Sequence, residues 1–327
     1  MDTNKAKYII WSEKNYVPIY SKPWWLDAIC GEDNWNVWLY VKGSELLAAM
    51  PYYKENRNGY IYITKPPLTQ NNGIIFKEDM SRKAVSKAEF EEKVINEACK
   101  FIANEKVDVY EQQYQPSFDN WLPFYWNNYK CYVRYTYVIN NTNDIESIWN
   151  NVSSKYRNKI KNGIRNISII ENPASDIFYK AHERVFLRQG KKCPFSIELW
   201  DRLYNAVIYN KSGCSFFAED EKGNVSAVLF LVWDERRVYQ ILGGYMEEYT
   251  SSQAYPALIY HGIKIANKEK KVYDFEGSMI KPISIAFRQF GGDVVPYYRI
   301  RKIFNPDIII KEAEEEIMDL AEEGYNG

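Results

Sequence analysis

The same order of predicted secondary-structure elements occurs twice along this 327-residue chain. Residues 37–53 predict a hairpin, and a third strand, a helix, a strand, a short helix and a last strand follow it. Residues 215–242 predict three strands as a meander, and again a helix, a strand, a short helix and a last strand follow. The repeated order predicts a duplicated α/β fold in which each copy is a mixed sheet flanked by helices.

A polar run, Asn140-Asn141-Thr142-Asn143-Asp144, separates the two copies. Such runs are typical of domain boundaries. We therefore expect an N-terminal domain over residues 1–143 and a C-terminal domain over residues 144–327. The second domain is predicted to start with one long helix, residues 145–167, and to end with an acidic surface helix, residues 311–323.

Composition excludes several classes of function. The net charge is −1, so no overall field draws the chain to DNA or to a membrane. Five dispersed cysteines without C-x-x-C spacing favour a reducing, cytoplasmic setting. The only histidines are His182 and His261, which we interpret as structural, and no metal site is predicted. No stretch approaches 18 apolar residues, so no transmembrane segment is expected.

Polar groups cluster where the predicted strand at residues 272–275 ends. Asp274, Glu276, Gly277 and Ser278 follow one another closely there. Carboxylates and a hydroxyl beside a glycine at a strand end are typical of α/β enzyme sites, and Gly277 is expected to let a substrate approach the backbone. A plain turn is the alternative interpretation, because these are also ordinary turn residues.

Two further features suit an anion. Five cations occur within eleven residues of a predicted helix, without an acid among them: Lys155, Arg157, Lys159, Lys161 and Arg165. They predict either a phosphate-binding surface or a solvated face. Pro256 fits only the first turn of the next long helix, so the amides of that helix start near Ser252 are expected to face an anion.

Several of these segments resemble the FemAB-like branch of the GNAT acyltransferases. The resemblance rests on the runs Lys155–Lys161, Ser251–Ala254 and Tyr273–Ser278, and on the loop Pro66–Gln70, with Phe290-Gly291-Gly292 closing the pattern. It implies tandem GNAT-like domains. It also implies transfer of an acyl or aminoacyl group from acyl-CoA or aminoacyl-tRNA to an amine of a cell-wall, peptide or sugar acceptor, with tRNA as a candidate partner.

On this resemblance, Asp274 or Glu276 orients the acceptor amine or relays its proton, and the strand of Tyr239 and Gln240 hydrogen-bonds the donor carbonyl. The residues expected to hold the donor phosphates or the tRNA 3′ end are Ser251, Ser252, Gln253, Lys155, Arg157 and Lys161. The residues expected to bind the acceptor are Trp24, Trp25, Thr69, Gln70, Ser278, Lys281 and Arg288.

The chain departs from the family pattern at two places. It has no R/Q-x-x-G-x-G/A phosphate loop, and the corresponding stretch is Ser251–Ala254. It also lacks the coiled-coil arm that some Fem-type members insert in the second domain. A different class of function therefore stays open, a non-catalytic GNAT-fold protein that holds a glycan, a peptide or a nucleic acid.

Overall fold

The computed structural model describes residues 3–79, 81–188, 190–246, 252–277 and 279–314. The strands are β1 (Trp35–Lys42), β2 (Glu45–Arg57), β3 (Tyr60–Thr64), β4 (Ile75–Phe76), β5 (Val109–Gln113), β6 (Lys130–Ile139), β7 (Ser168–Glu171), β8 (Gly213–Glu219), β9 (Val225–Trp233), β10 (Arg237–Tyr245), β11 (Val272–Asp274) and β12 (Asp293–Ile303). The helices are α1 (Thr3–Ser12), α2 (Pro23–Cys30), α3 (Ala84–Asn104), α4 (Leu122–Trp126), α5 (Ile145–Asn151), α6 (Ser154–Asn166), α7 (Ser175–Leu187), α8 (Ile197–Tyr209), α9 (Ala254–Glu269) and α10 (Lys281–Arg288). None of the helices in these ranges is long and apolar enough to cross a membrane.

The described residues divide into two compact units. Unit 1 contains residues 3–16, 33–133 and 297–314, and unit 2 contains residues 17–32 and 134–296. The chain thus first passes from unit 1 to unit 2 near residue 17, well before the boundary predicted after residue 143. It also returns to unit 1 at residue 297.

Strand pairing explains this division. In unit 1 the order is β1-β2-β3-β5-β12, with β3 parallel to β5 and β12 antiparallel to β5. In unit 2 the order is β6-β11-β10-β9-β8-β7, with β10 parallel to β11 and β6 antiparallel to β11. The order of elements repeats as predicted, and the duplicated fold with mixed sheets is confirmed. The last strand of each copy, however, completes the sheet of the other unit.

Helices cover both faces of the unit 2 sheet. Alternation along β9 turns Leu229 toward α9 and Phe230 toward α7 and α8, and both side chains are fully buried. On the second face Trp200 meets Phe230 with ring centroids 4.9 Å apart. Complete burial of one such side chain stabilises the fold by roughly 2 kcal/mol.

The long helix predicted at residues 145–167 is instead two helices. The chain leaves the helical conformation between α5 and α6, and the Ser153 hydroxyl accepts a hydrogen bond from the Tyr156 backbone N–H at 3.4 Å. Serine competes for backbone donors in this way, so Ser153 starts a new helix. Of the predicted acidic tail, residues 311–314 continue a helix that begins at 306, and the rest lies outside the described residues.

His182 is a residue of α7 in the core of unit 2, where it faces the residues before α8. Its side chain is 3% exposed, and the rings of Phe178, Phe186 and Phe195 surround it at centroid distances of 5.2–6.1 Å. Among the described residues neither ring nitrogen has a hydrogen-bond partner. Burial lowers the pKa of His182 to about 4.

This histidine should make the fold sensitive to acid. Because the pKa is lower in the folded protein than in the unfolded chain, the unfolded chain binds the proton first, and stability falls as the pH drops from the unfolded pKa toward the folded one. Between roughly pH 7 and pH 5 the wild-type free energy of unfolding should lose about 2 kcal/mol through this group. His182→Phe should remove that loss in urea titrations. Equal pH slopes for the two proteins would contradict it.

Candidate functional site

The turn after β11 places Glu276 beside the end of that strand. Glu276 and Gly277 both adopt left-handed backbone angles, with φ of 58° and 65°. A Cβ on Gly277 would lie 2.4 Å from the carbonyl oxygen of Tyr135 in β6. The turn therefore requires glycine. The side of Gly277 on which a Cβ would stand lies against β6. This corrects the expectation that Gly277 lets a substrate approach the backbone.

Asp274 joins the strands around this turn. Its side chain is 3% exposed and accepts hydrogen bonds from the Thr136 hydroxyl at 2.6 Å, the Glu276 backbone N–H at 2.9 Å and Arg237 Nη1 at 3.1 Å. Burial raises the pKa of Asp274, and the charge of Arg237 opposes that rise. The Asp274 carboxylate is thus buried, and it holds the backbone N–H of Glu276 in place.

Glu276 is half-buried and is held by a tyrosine from the N-terminal segment of unit 2. The Tyr20 hydroxyl donates to Glu276 Oε1 at 2.6 Å. Tyr20 is fully buried, and its ring packs against those of Trp25 and Tyr239 at 5.1 and 5.3 Å. Burial, and then the charge of Glu276, raise the pKa of Tyr20 well above its usual value. The phenol therefore stays protonated and remains a donor.

Asp234 anchors this N-terminal segment to the turn between β9 and β10. Its Oδ2 accepts from the Ile19 backbone N–H at 3.2 Å and from the Tyr239 hydroxyl at 3.0 Å. Its Oδ1 accepts from the backbone N–H groups of Arg236 and Arg237. The strand of Tyr239 is predicted to bind the donor carbonyl, and the hydroxyl of Tyr239 itself donates to the buried Asp234 carboxylate.

Gln240 lies on the opposite face of β10. Its side-chain carbonyl accepts from the Tyr273 hydroxyl at 2.7 Å, and its amide donates to the Tyr255 hydroxyl at 3.1 Å. Burial raises the pKa of Tyr255. This chain of three polar groups connects β10, β11 and the first turn of α9.

The two parallel strands at the site pair only briefly. β10 and β11 share three residue pairs, the last of them Tyr239 with Asp274. Beyond that pair β10 continues to Tyr245 against β9, with a register shift between Gln240 and Leu242. The side of β10 that would face β11 therefore carries backbone groups that β11 does not pair.

The two predicted anion-binding elements meet. Gly163 of α6 packs so close to the start of α9 that a Cβ on it would lie 2.4 Å from the Gln253 carbonyl oxygen and 2.8 Å from Ala257. Gln253 is the residue before α9 and has left-handed backbone, and Ser252 accepts from the Ala254 N–H at 3.2 Å. Ser251 and Ser278 lie outside the described residues.

The cations of α6 differ in their environments. Lys155 and Lys161 are exposed, as a phosphate ligand requires. Arg157 instead donates through Nη1 to the carbonyls of Asn150 and Val152 at 2.9 and 2.8 Å, at the end of α5. This contact satisfies carbonyls that a helix end leaves unpaired, which favours a structural role for Arg157 over the predicted phosphate contact.

The predicted acceptor residues are dispersed. Trp25 is completely buried in the core beside Tyr20, whereas Trp24 is partly exposed. Lys281 and Arg288 are exposed at the two ends of α10. Thr69 and Gln70 belong to unit 1, where Thr69 is buried and the Gln70 carbonyl accepts from Gln113 Nε2 at 2.6 Å.

The structure thus brings Asp274, Glu276 and Tyr239 together at β10 and β11, whereas Gln240 lies on the opposite face of β10. It also shows polar partners that were not predicted from the sequence: Tyr20, Thr136, Asp234, Arg237 and Tyr255. Asp234 had a local signal, because aspartate in a strand-connecting turn commonly binds backbone two or three residues on. Tyr20 had no such local signal in the sequence, because 256 positions separate it from Glu276.

No protein-family model and no curated protein sequence matches this chain. Solved structures do match. FemX superposes with a TM-score of 0.68 over 94% of this chain and 98% of its own, at 12% identity. The C-terminal domain of a putative lysylphosphatidylglycerol synthetase from Agrobacterium fabrum gives 0.55 over 97% and 94%, at 9% identity. A tandem GNAT protein from the clavulanic acid biosynthesis pathway gives 0.50 over 86% and 94%, at 7% identity.

The chain has the fold of FemX, and it shares a tandem GNAT-like fold with the clavulanic acid pathway protein. The similarity covers nearly the whole of both chains, so the FemX-like fold includes both units. The resemblance noted in the sequence is therefore confirmed at the level of the fold.

The Gly277 turn gives a direct stability test. Gly277→Ala should lower the free energy of unfolding by roughly 3 kcal/mol, because it combines a left-handed backbone with a contact to the Tyr135 carbonyl. Gly223→Ala is the matched control, since Gly223 also has positive φ but no atom of the described residues lies within 4 Å of the added Cβ. The control should lose only about 1 kcal/mol. Equal losses in urea denaturation would contradict the contact with β6.

Proposed function

We propose that this FemX-like chain transfers an acyl or aminoacyl group to an amine, and that unit 2 carries the reaction. The observation that supports this most is the position of Glu276. It is a half-buried carboxylate held by the buried phenol of Tyr20, beside the point where β11 stops pairing with β10. The FemX-like fold supports the same reaction class by analogy.

Glu276 is the proposed general base. An acceptor amine must lose a proton to attack an acyl carbonyl, and a carboxylate that is fixed in place can take that proton. Tyr20 restrains one oxygen of Glu276, and Asp274 restrains its backbone N–H. Asp274 therefore acts as a positioning residue in this proposal, since its own oxygens already accept three donors.

The unpaired side of β10 is the proposed site for the donor carbonyl. As the amine attacks, the carbonyl oxygen becomes an oxyanion, which preorganised backbone N–H groups stabilise. Collapse of this intermediate breaks the thioester of acyl-CoA or the ester of aminoacyl-tRNA, and the released CoA thiolate or tRNA 3′ oxygen takes up the proton that the amine has lost. The backbone from Gln240 to Tyr245 offers such groups on the side that β11 leaves unpaired. Gln240, bonded to Tyr273 and Tyr255, would hold the strand in this position without contacting the donor itself.

The start of α9 and the adjoining face of α6 are the proposed site for the donor phosphates. Helix N-termini bind anions through free N–H groups and the helix dipole. Lys155 and Lys161 add positive charge from the helix that packs against this one. The donor is therefore proposed to be acyl-CoA or aminoacyl-tRNA, and the acceptor an amine of a cell-wall, peptide or sugar molecule.

Glu276→Gln tests the central role. The change keeps the size of the side chain and its hydrogen bond to Tyr20 but removes the basic oxygen. We expect kcat to fall roughly 100-fold or more, with the KM for the donor nearly unchanged. Initial rates would be measured with acetyl-CoA or a mixture of aminoacylated tRNAs as donor and amino sugars as the first acceptors.

Glu235→Gln is the matched control. Glu235 lies on the turn between β9 and β10, its side chain is 61% exposed, and it pairs with Lys22 at 2.6 Å. Its loss should leave the rate within about twofold, as is usual for surface ion pairs. Full activity of Glu276→Gln would refute the base role. No turnover by the wild type with either donor, together with binding of an acceptor, would favour the non-catalytic binding protein.

A further inference from the structure

Helix α10 and the residues before it expose large aliphatic side chains. The exposed fractions are 55% for Met279, 57% for Ile280, 40% for Ile283 and 42% for Ile285. A short surface helix normally turns its apolar residues toward the core and its polar residues toward water. Met279 and Ile280 are adjacent in the chain and Ile283 follows three positions later, so these three residues form an apolar patch, and patches of this kind mark binding surfaces. Ile285 lies on another side of α10.

The inner side of α10 is already occupied, so the patch is not an unfinished part of the core. Phe287 is 6% exposed and packs on Phe275 with ring centroids 5.0 Å apart. The Ser284 and Tyr137 hydroxyls are 2.9 Å apart and hydrogen-bonded. The exposed aliphatic residues of α10, and those just before it, are therefore not needed for the packing of unit 2.

Positive charge borders the patch. Lys281 and Arg288 are exposed at the ends of α10, and the helix sequence contains no acidic residue.

We infer that this α10 face, residues 279–288, binds the surface of an anionic lipid bilayer. Aliphatic side chains flanked by cations suit that surface, because the chains enter the boundary of the acyl region while the cations meet the headgroups. Single-stranded nucleic acid is bound instead by cations combined with stacking aromatic rings, and the apolar patch consists of isoleucine and methionine. The inference goes beyond the proposed function and does not rest on it.

Sedimentation of the full chain with vesicles tests the inference. The chain should sediment with phosphatidylcholine vesicles that contain phosphatidylglycerol and not with phosphatidylcholine alone, and binding should weaken as salt rises. Lys281→Gln with Arg288→Gln should weaken binding roughly 25-fold, about fivefold for each cation. Ile280→Ser with Ile283→Ser should weaken it at least about tenfold.

Tyr209→Ser is the matched control. Tyr209 is a large side chain of unit 2 that is 87% exposed on α8, away from the α10 face. Its loss should leave vesicle binding unchanged. Unchanged binding by both α10 variants would overturn the inference, as would no binding of the wild type to anionic vesicles. A dimer that the isoleucine pair converts to a monomer would identify a subunit interface and also overturn it. Loss of tRNA binding in the α10 variants, with vesicle binding intact, would overturn the inference as well.

Vesicle binding does not require turnover. Its failure would leave the acyl-transfer proposal standing, and an active Glu276→Gln variant would leave vesicle binding standing. The two proposals can therefore fail separately.

Discussion

The buried carboxylate of Asp274 is the interaction on which the candidate site depends. A buried charge is costly unless hydrogen bonds and an opposite charge compensate it. Here Thr136 on β6, Arg237 on β10 and the turn backbone supply that compensation, each from a different part of unit 2. One side chain thus fixes two neighbouring strands and the turn that carries Glu276. Loss of the Asp274 carboxylate would remove one hydrogen bond from each of these three partners, which is most costly at the buried Thr136 hydroxyl.

The exchange of last strands follows the same logic. β6 belongs to the first copy of the repeated order, yet it supplies both the Thr136 hydroxyl and the Tyr135 carbonyl that the Gly277 turn meets. The segment at residues 17–32 adds Tyr20, which restrains Glu276. The polar cluster in unit 2 therefore needs three separate stretches of chain to be in place together. Its formation is tied to folding of the whole unit, not of one local motif.

The parts of this arrangement that sequence predicted are those with local causes. Strand and helix order follows from periodicity and turn residues, and carboxylates after a buried strand mark the strand end. Partners across the fold have no such signal. The pattern of β6 shows that it is a strand but not which sheet it joins. Trp25 looked like a groove residue and is core, and Arg157 looked like a phosphate ligand and serves helix-end carbonyls. In both cases a side chain suited two environments, and packing decided.

We propose that unit 2 binds a phosphate-bearing acyl donor beside Glu276. Thermal unfolding of the full chain at low salt tests this most directly, with acetyl-CoA, free CoA and a mixture of aminoacylated tRNAs added in turn. A ligand that binds only the native state raises the midpoint by mass action. We expect a higher midpoint with the CoA compounds or with aminoacyl-tRNA, and the responding class identifies the donor. An unchanged midpoint with all three would contradict it.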